Sequence, residues 1–235
     1  EHFIDYLKTK TNCTVLRHPQ AEADDLIAMW TQEHPEDEHV IVSTDSDFYQ
    51  LVSENVSQYN GVTDQVVRHD GIFEMKTMKR AIDKKTQEPK PIPNPKWLLF
   101  EKCVRGDTSD NIFSAFPGAR KKGSKNKTGM QEAFADMERG GFDFNNFMLQ
   151  RWVDHEDVEH RVIDDYERNK ILIDLTLQPD EIKEGVREVF AESSDKEKIQ
   201  NVGIYFMKFC NTWNMPKLTN AATEFGEILN ACQKQ

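Results

Sequence analysis

The chain has 235 residues with 30 Lys+Arg against 41 Asp+Glu, giving a formal net charge of −11, and it is 37% hydrophobic and 30% charged. That is enough chain to bury a core in one large domain or two small ones, and too apolar a composition for disorder. No apolar run approaches the roughly 18 residues of a membrane span, and four scattered cysteines (Cys13, Cys103, Cys210, Cys232) argue against a zinc ribbon or disulfide framework and suit a reducing cytoplasm.

In chain order, residues 13–16 are a short β-type run, and 21–30 read as a helix with Leu26, Ile27, Met29 and Trp30 near one side. Pro35 and the acids around it break that pattern. Val40, Ile41 and Val42 form a continuous β-branched run, the pattern of a strand buried on both faces. It ends in Ser43, Thr44, Asp45, Ser46 and Asp47, after which 48–52 starts another helix. Weaker strands are predicted at 56–59 and 65–68, split by a turn at Asn60 and Gly61. Residues 84–96 hold four prolines (Pro89, Pro91, Pro93, Pro95) and read as an extended connector. Beyond it the β signals stop, and 97–104, 128–137, 143–152, 160–175, 198–213 and 218–232 read as helical. Strand–helix alternation followed by helices alone predicts an α/β fold: a mostly parallel central sheet within 1–96 and a helical half over 97–235. Trp97, Leu98, Val162, Ile163, Ile171, Leu172, Phe206 and Trp213 are its candidate core positions.

The charge is unevenly spread. From Lys76 to Lys127 there are 14 basic and 5 acidic residues, a local balance of +9, so the remainder is strongly acidic. A basic segment in an acidic chain is the pattern of one face meeting a polyanion; the plain alternative is a solvated lysine-rich loop.

Three groups of carboxylates stand out: Glu22, Asp24 and Asp25 at a helix start, Asp45 and Asp47 after a strand, and Asp107 and Asp110 around Thr108 and Ser109. Helix capping explains Asp24 or Asp25 alone, worth at most about 1 kcal/mol through the dipole. It does not explain three groups. If they converge, each pair about 4 Å apart repels by roughly 4 kcal/mol at an effective dielectric of about 20. Bound cations would relieve that, and all-oxygen ligands select hard ions such as Mg²⁺ or Mn²⁺, as in two-metal phosphodiester hydrolysis. Three near-misses are set aside. Residues 45–49 lack the third ligand and glycine of a calcium loop. Residues 118–125 have the wrong order for a phosphate loop. His155 and His160 are five apart, about 140° around a helix, and cannot share a zinc ion on one helical face.

The motifs Glu22-Ala23-Asp24-Asp25, Ser43-Thr44-Asp45-Ser46-Asp47-Phe48 and Gly106-Asp107-Thr108-Ser109-Asp110-Asn111-Ile112, in that order, resemble the 5′-nuclease family of flap endonucleases and polymerase 5′-exonuclease domains. Within it the chain is most similar to the ribonuclease H group of T-even-type bacteriophages, also through Ile204-Tyr205-Phe206 and Pro216-Lys217-Leu218-Thr219-Asn220. The resemblance implies a PIN-like, resolvase-like sheet followed by a helix–turns–helix that grips duplex DNA. It implies a metal-dependent 5′-3′ exonuclease or flap endonuclease that also removes RNA primers in replication, with two divalent cations, Mg²⁺ or Mn²⁺. Glu22, Asp24 and Asp45 would hold one and Asp47, Asp107 and Asp110 the other, with Asp45 near both and Asp25 beside them as a further ligand or cap. Arg120, Lys121, Lys122, Lys125, Lys127 and Thr128 would contact DNA on a stretched turn where the family often holds a potassium ion. Implied partners are duplex DNA with a 5′ flap or nick, RNA/DNA hybrid, and replication proteins such as a single-stranded DNA-binding protein, met by a monomer in the cytoplasm (the host's, if of phage origin). The family's first strand, with another aspartate, and its helical arch would precede Glu1, so the chain is expected to fold but to cut poorly alone. Two other readings share some of these features: a non-catalytic structure-specific DNA-binding protein, and a PIN-like single-strand RNase.

Overall fold

A computed structural model describes residues 1–124, 127–194 (Ser194 by its backbone) and 197–231, so Lys125 and Cys232 lie outside the described residues. Two compact units are described in turn, residues 27–178 and residues 1–26 with 179–235.

The first unit carries a sheet of β1 (His39–Val42), β2 (Val56–Asn60), β3 (Gln65–Arg68) and β4 (Gly71–Glu74) in that spatial order. β1 pairs with β2 in parallel, Ile41 opposite Gln58, while β2–β3 and β3–β4 are antiparallel. The α/β class and the helical half stand, but the sheet is mixed rather than mostly parallel. The reason is local: short turns after β2 and β3 can return the chain only as antiparallel neighbours. Ile41, Phe48, Leu51 and Val56 pack with Ala28 under the sheet. Residues 46–51 wind as a 3-10 turn in place of the expected helix start.

β1 is not buried on both faces. Ile41 is buried, but Val40 is 63% and Val42 73% exposed. β1 is an edge strand, paired among the described residues only with β2, so the alternation of the pleat decides burial despite the unbroken apolar run.

After the sheet, α3 (Pro95–Arg105) starts with Asn94 accepting from Trp97 N and Pro95 in the first turn, and stops at Gly106, φ 75°. It packs with α4 (Met130–Asp136), α5 (Phe142–Met148) and α6 (Val162–Ile173) around Phe100, Cys103, Val104, Met130, Phe147, Val162 and Tyr166. Residues 143–152 are only partly helical: a hairpin of β5 (Arg151–Val153) and β6 (Glu159–Arg161) follows α5. His160 lies on β6 and its ring is stacked on Trp152, centroids 4.4 Å apart. Its nitrogens meet Asp154 and Asp165 at 3.1 Å each, so both ring positions are taken by carboxylates. The hydrogen bond to Asp154, helped by the charge of Asp165, holds its pKa above the ordinary histidine value. On α6 the buried face runs through Val162, Tyr166, Asn169 and Ile173, which leaves Ile171 and Leu172 exposed rather than in the core.

The second unit is helical in its described residues: α1 (His2–Lys10), the start of α2 (Ala23–Glu33), α7 (Asp180–Ser194), α8 (Val202–Thr212), α9 (Pro216–Asn220) and α10 (Ala222–Ala231). Residues 13–16 therefore form no strand, since their unit offers no ladder to join. Tyr6, Phe206, Cys210 and Ala222 make the core, with Tyr6 stacked on Phe209 at 4.3 Å, so the aromatic spacing of α8 serves packing. Asn12, 2% exposed, donates its N–H to Leu229 O (3.1 Å) and accepts from Ile199 N (2.8 Å). α7 escapes a sequence reading because charges and Gly185 interrupt its apolar stripe, although Val186 and Phe190 are buried four residues apart.

The exposed valines of β1 carry a prediction. Val40→Thr with Val42→Thr should change unfolding free energy by no more than about 0.5 kcal/mol each, as at exposed positions generally. It should lower aggregation on concentration, measured by light scattering. A large loss of stability would mean that these side chains are packed in solution.

Candidate metal centre and basic loop

Asp45 and Asp47 stand where β1 gives way to the 3-10 turn. Asp45 caps the turn, its Oδ1 accepting from Asp47 N at 2.9 Å, and its own N–H reaches Ser43 Oγ at 3.1 Å. From β2, the fully buried Gln58 donates through Nε2 to Ser43 O (2.9 Å) and Asp45 O (2.7 Å). The acid loop is thus tied to the neighbouring strand by a side chain, and Asp47 projects from a fixed base.

Asp107 and Asp110 sit on a second tight loop. Asp107 N donates to Ile112 O (2.9 Å) and Ile112 N to Asp107 O (2.8 Å), closing the turn, with Asn111 left-handed at φ 58°. Gly106 makes the closure possible: a Cβ there would lie 2.3 Å from Ile112 O, at a φ that L side chains rarely adopt. Beyond the turn, Asn169 of α6, fully buried, donates to Cys103 O (2.9 Å) and Phe113 O (2.7 Å), fastening the loop to the end of α3.

These two loops bring Asp47, Asp107 and Asp110 together, one oxygen of each within 4.8 Å of the others. At that spacing each pair repels by about 3–4 kcal/mol at an effective dielectric of about 20. One cation relieves it: Lys102, in the last turn of α3, donates to Asp107 Oδ2 at 2.7 Å and pairs directly with Asp47 Oδ1. Lys102 is pulled down by burial, yet the bonds to Asp107 and Asp47 carry its pKa above the ordinary lysine value. The same bond from Lys102, with help from Ser109, holds the Asp107 carboxyl at about 2. Three carboxylates around a cation position already taken by an ammonium are a donor set that fits a hard divalent ion.

Glu22, Asp24 and Asp25 lie at the start of α2, where Asp25 Oδ2 accepts from Glu22 N (3.0 Å) and Glu22 O accepts from Leu26 N (3.3 Å). Asp45 caps its turn and is not part of the three-carboxylate group.

Arg120, Lys121, Lys122 and Lys127 are exposed on the loop between α3 and α4, and Lys125 lies outside the described residues. The loop's neck is fixed. Glu132 Oε2 accepts from Gly123 N (2.9 Å) and Gly129 N (3.0 Å), and a Cβ on Gly129 would meet Gly123 N at 2.3 Å. Thr128 is engaged within the protein, its hydroxyl accepting from Asn146 (2.8 Å) and facing Asp143 (3.4 Å). Sequence reasoning missed Lys102, Gln58, Asn169 and Glu132. The only sequence signal for Lys102 is a basic residue in the last helical turn before Gly106 and Asp107, and dipole complementarity explains such a residue equally well.

Residues 2–83 match the family model described as the 5′-3′ exonuclease N-terminal resolvase-like domain. Among solved structures, the chain is similar to a bacteriophage T5 protein co-crystallised with metal ions, at 15% identity and a TM-score of 0.42. The match covers 75% of this chain and 62% of that protein. It is also similar to a bacteriophage T5 flap endonuclease in a pseudo-enzyme–product complex with DNA and metal ions, at 15% identity and a TM-score of 0.41, covering 74% of this chain and 60% of that one. This chain therefore spans less than two thirds of the length of these proteins. No curated protein matches it.

Gln58→Leu leaves Ser43 O and Asp45 O without their buried donor, and should cost about 1–3 kcal/mol in urea unfolding. A cost below about 0.5 kcal/mol would show that the acid loop holds itself. Asp107 has a folded pKa near 2, below its ordinary 3.8, so its stabilising contribution is complete above the ordinary value and disappears as pH falls toward 2. The stability gap between the wild type and Asp107→Asn, measured in metal-free buffer, should therefore close between about pH 4 and about pH 2. A gap independent of pH across that window would contradict the Lys102 pairing.

Proposed function

We propose that the chain is a metal-dependent 5′-nuclease, hydrolysing phosphodiesters at 5′ ends, flaps and nicks of duplex DNA. One observation carries the reading. Asp47 and Asp107, 60 positions apart and in separate acidic motifs, share a single cation with Asp110 beside them. The order of the three acidic motifs along the chain and the family-model match over residues 2–83 support the same class.

In this reading Asp47, Asp107 and Asp110 hold a divalent ion, Mg²⁺ or Mn²⁺. Bound there, it would polarise the phosphodiester and lower the pKa of an attacking water. The chain's own residues do the positioning. Gln58, Gly106 and Asn169 fix the two acid loops, and the exposed Arg120, Lys121, Lys122 and Lys127 contact backbone phosphates without reading sequence. Backbone bonds from Met130 N to Arg120 O (2.9 Å) and from Gln131 N to Lys121 O (3.0 Å) fix the start of this stretch, and Glu132 closes the neck around Lys127. The proposal extends to removal of RNA primers from RNA/DNA hybrid in replication, with a single-stranded DNA-binding protein as partner, from the similarity to the ribonuclease H group of T-even-type phages. It also includes a second ion, a potassium ion near the stretched turn, a monomer and a cytoplasmic place of work. Among the described residues no helix is long and apolar enough to cross a membrane.

The test is an incubation of the protein with a 5′-flap duplex, an RNA/DNA hybrid and a single-stranded RNA, with Mg²⁺ and with EDTA. Flap and hybrid cleavage that needs the ion, with the single strand left intact, is the expected result. Cleavage of single-stranded RNA alone would favour the single-strand RNase reading, and tight flap binding with no cleavage would favour a binding protein. Asp107→Asn and, separately, Glu22→Gln should abolish cleavage while duplex binding stays equal or tightens, since negative charge near the phosphates is removed. Replacing Lys121, Lys122 and Lys127 by Ala should flatten the slope of log K against log salt by about 0.9 per lysine. An unchanged slope would return these lysines to a solvated loop.

A further inference from the structure

We propose that Lys102 is the metal site's built-in counter-ion: its ammonium occupies the cation position between Asp47 and Asp107, and a divalent ion binds only by displacing it. The inference rests on the assignment of Asp47, Asp107 and Asp110 as an ion site, and it deepens that assignment by making ion binding an exchange of one cation for another.

Lys102 Nζ contacts Asp47 Oδ1 and lies 2.7 Å from Asp107 Oδ2, so it uses one oxygen of each carboxylate. Asp107's other oxygen is engaged by Ser109, which donates from its backbone N–H at 3.0 Å and from its hydroxyl. An ion that joins Asp47 and Asp107 at about 2.1 Å therefore competes with Lys102 for the same oxygens. With Lys102 still in place the two cations would stand at contact distance. The three side chains are shielded, with 29% of Lys102, 20% of Asp47 and 13% of Asp107 exposed, so solvent does little to screen that repulsion. Asp110 is exposed and has no ion-pair partner among the described residues, so it is the carboxylate an arriving ion can reach first. Lys102 sits in the last turn of α3 on a flexible four-carbon stem, and it can leave by side-chain rotation with no movement of the helix. Without a metal the ammonium lowers the mutual repulsion of the acids; with a metal that task passes to the ion.

The test compares Mg²⁺ and Mn²⁺ affinity by titration calorimetry for the wild type, Lys102→Met and Lys102→Arg. Removing a competing cation should tighten divalent binding in Lys102→Met by about tenfold, within the range usual for coupled sites. Lys102→Arg, which keeps the competitor, should bind no more tightly than the wild type. Equal or weaker binding in Lys102→Met would overturn the proposal, since it would mean that the lysine and the ion coexist. A second measurement uses the wild type alone and does not depend on a variant's folding. Reductive methylation of Lys102, read by peptide mass spectrometry, should run several-fold faster in Mg²⁺ than in EDTA because the ammonium has been released. An unchanged or slower rate would overturn the proposal even if the flap duplex is cut. Failure of the underlying site assignment looks different: no divalent binding by any of the three proteins, and no Mg²⁺-dependent cleavage.

Discussion

Carboxylates within 4.8 Å of one another repel, and the geometry around Asp47, Asp107 and Asp110 exists only because something holds them there against that force. Two kinds of restraint do so. The backbone of each acid loop is fixed from behind, Asp45 and Asp47 by Gln58 on β2, and Asp107 and Asp110 by the Gly106 turn and by Asn169 on α6. In front, Lys102 supplies positive charge to two of the three carboxylates. Both bracing amides are buried, and each donates to two backbone carbonyls at the loop it holds. The local fold is thus arranged around concentrated negative charge that would be unfavourable in a purely structural role.

Concentrated negative charge is a poor neighbour for a polyanion unless cations stand between them. In the proposed reading, the unit described over residues 27–178 provides them at two levels: a metal ion in place of the Lys102 ammonium, and the exposed arginine and lysines of the loop between α3 and α4. The loop's neck is held by Glu132 through Gly123 and Gly129, and Lys127 lies within it. Glu132 is also the capping residue of α4, so the same clamp serves the helix start and the loop.

The acids were legible in the sequence because their motifs are short: Asp45 with Asp47, and Asp107 with Asp110, each pattern fitting inside one turn. No local pattern relates position 47 to position 107, so their approach is visible only in the folded chain. Lys102 was invisible because one lysine in a final helical turn looks the same whether it faces water or an aspartate. The helical half was legible where apolar periodicity was strong, as in α3 and α8, and lost where charges interrupted it, as in α7. The β5–β6 hairpin was missed because strands of three residues are too short to show alternation. Val40 and Val42 mark a different limit: an apolar run signals what a strand could bury, while burial itself depends on what lies against it.

In the proposed site these three aspartates hold one cation. A crystal of the protein soaked in Mn²⁺ and measured at the manganese absorption edge tests it directly. The expected result is an anomalous peak about 2.1 Å from oxygens of Asp47 and Asp107, with Asp110 directly or through water and Lys102 turned away. No peak at these carboxylates under saturating Mn²⁺, with Lys102 still paired to Asp47 and Asp107, would contradict it.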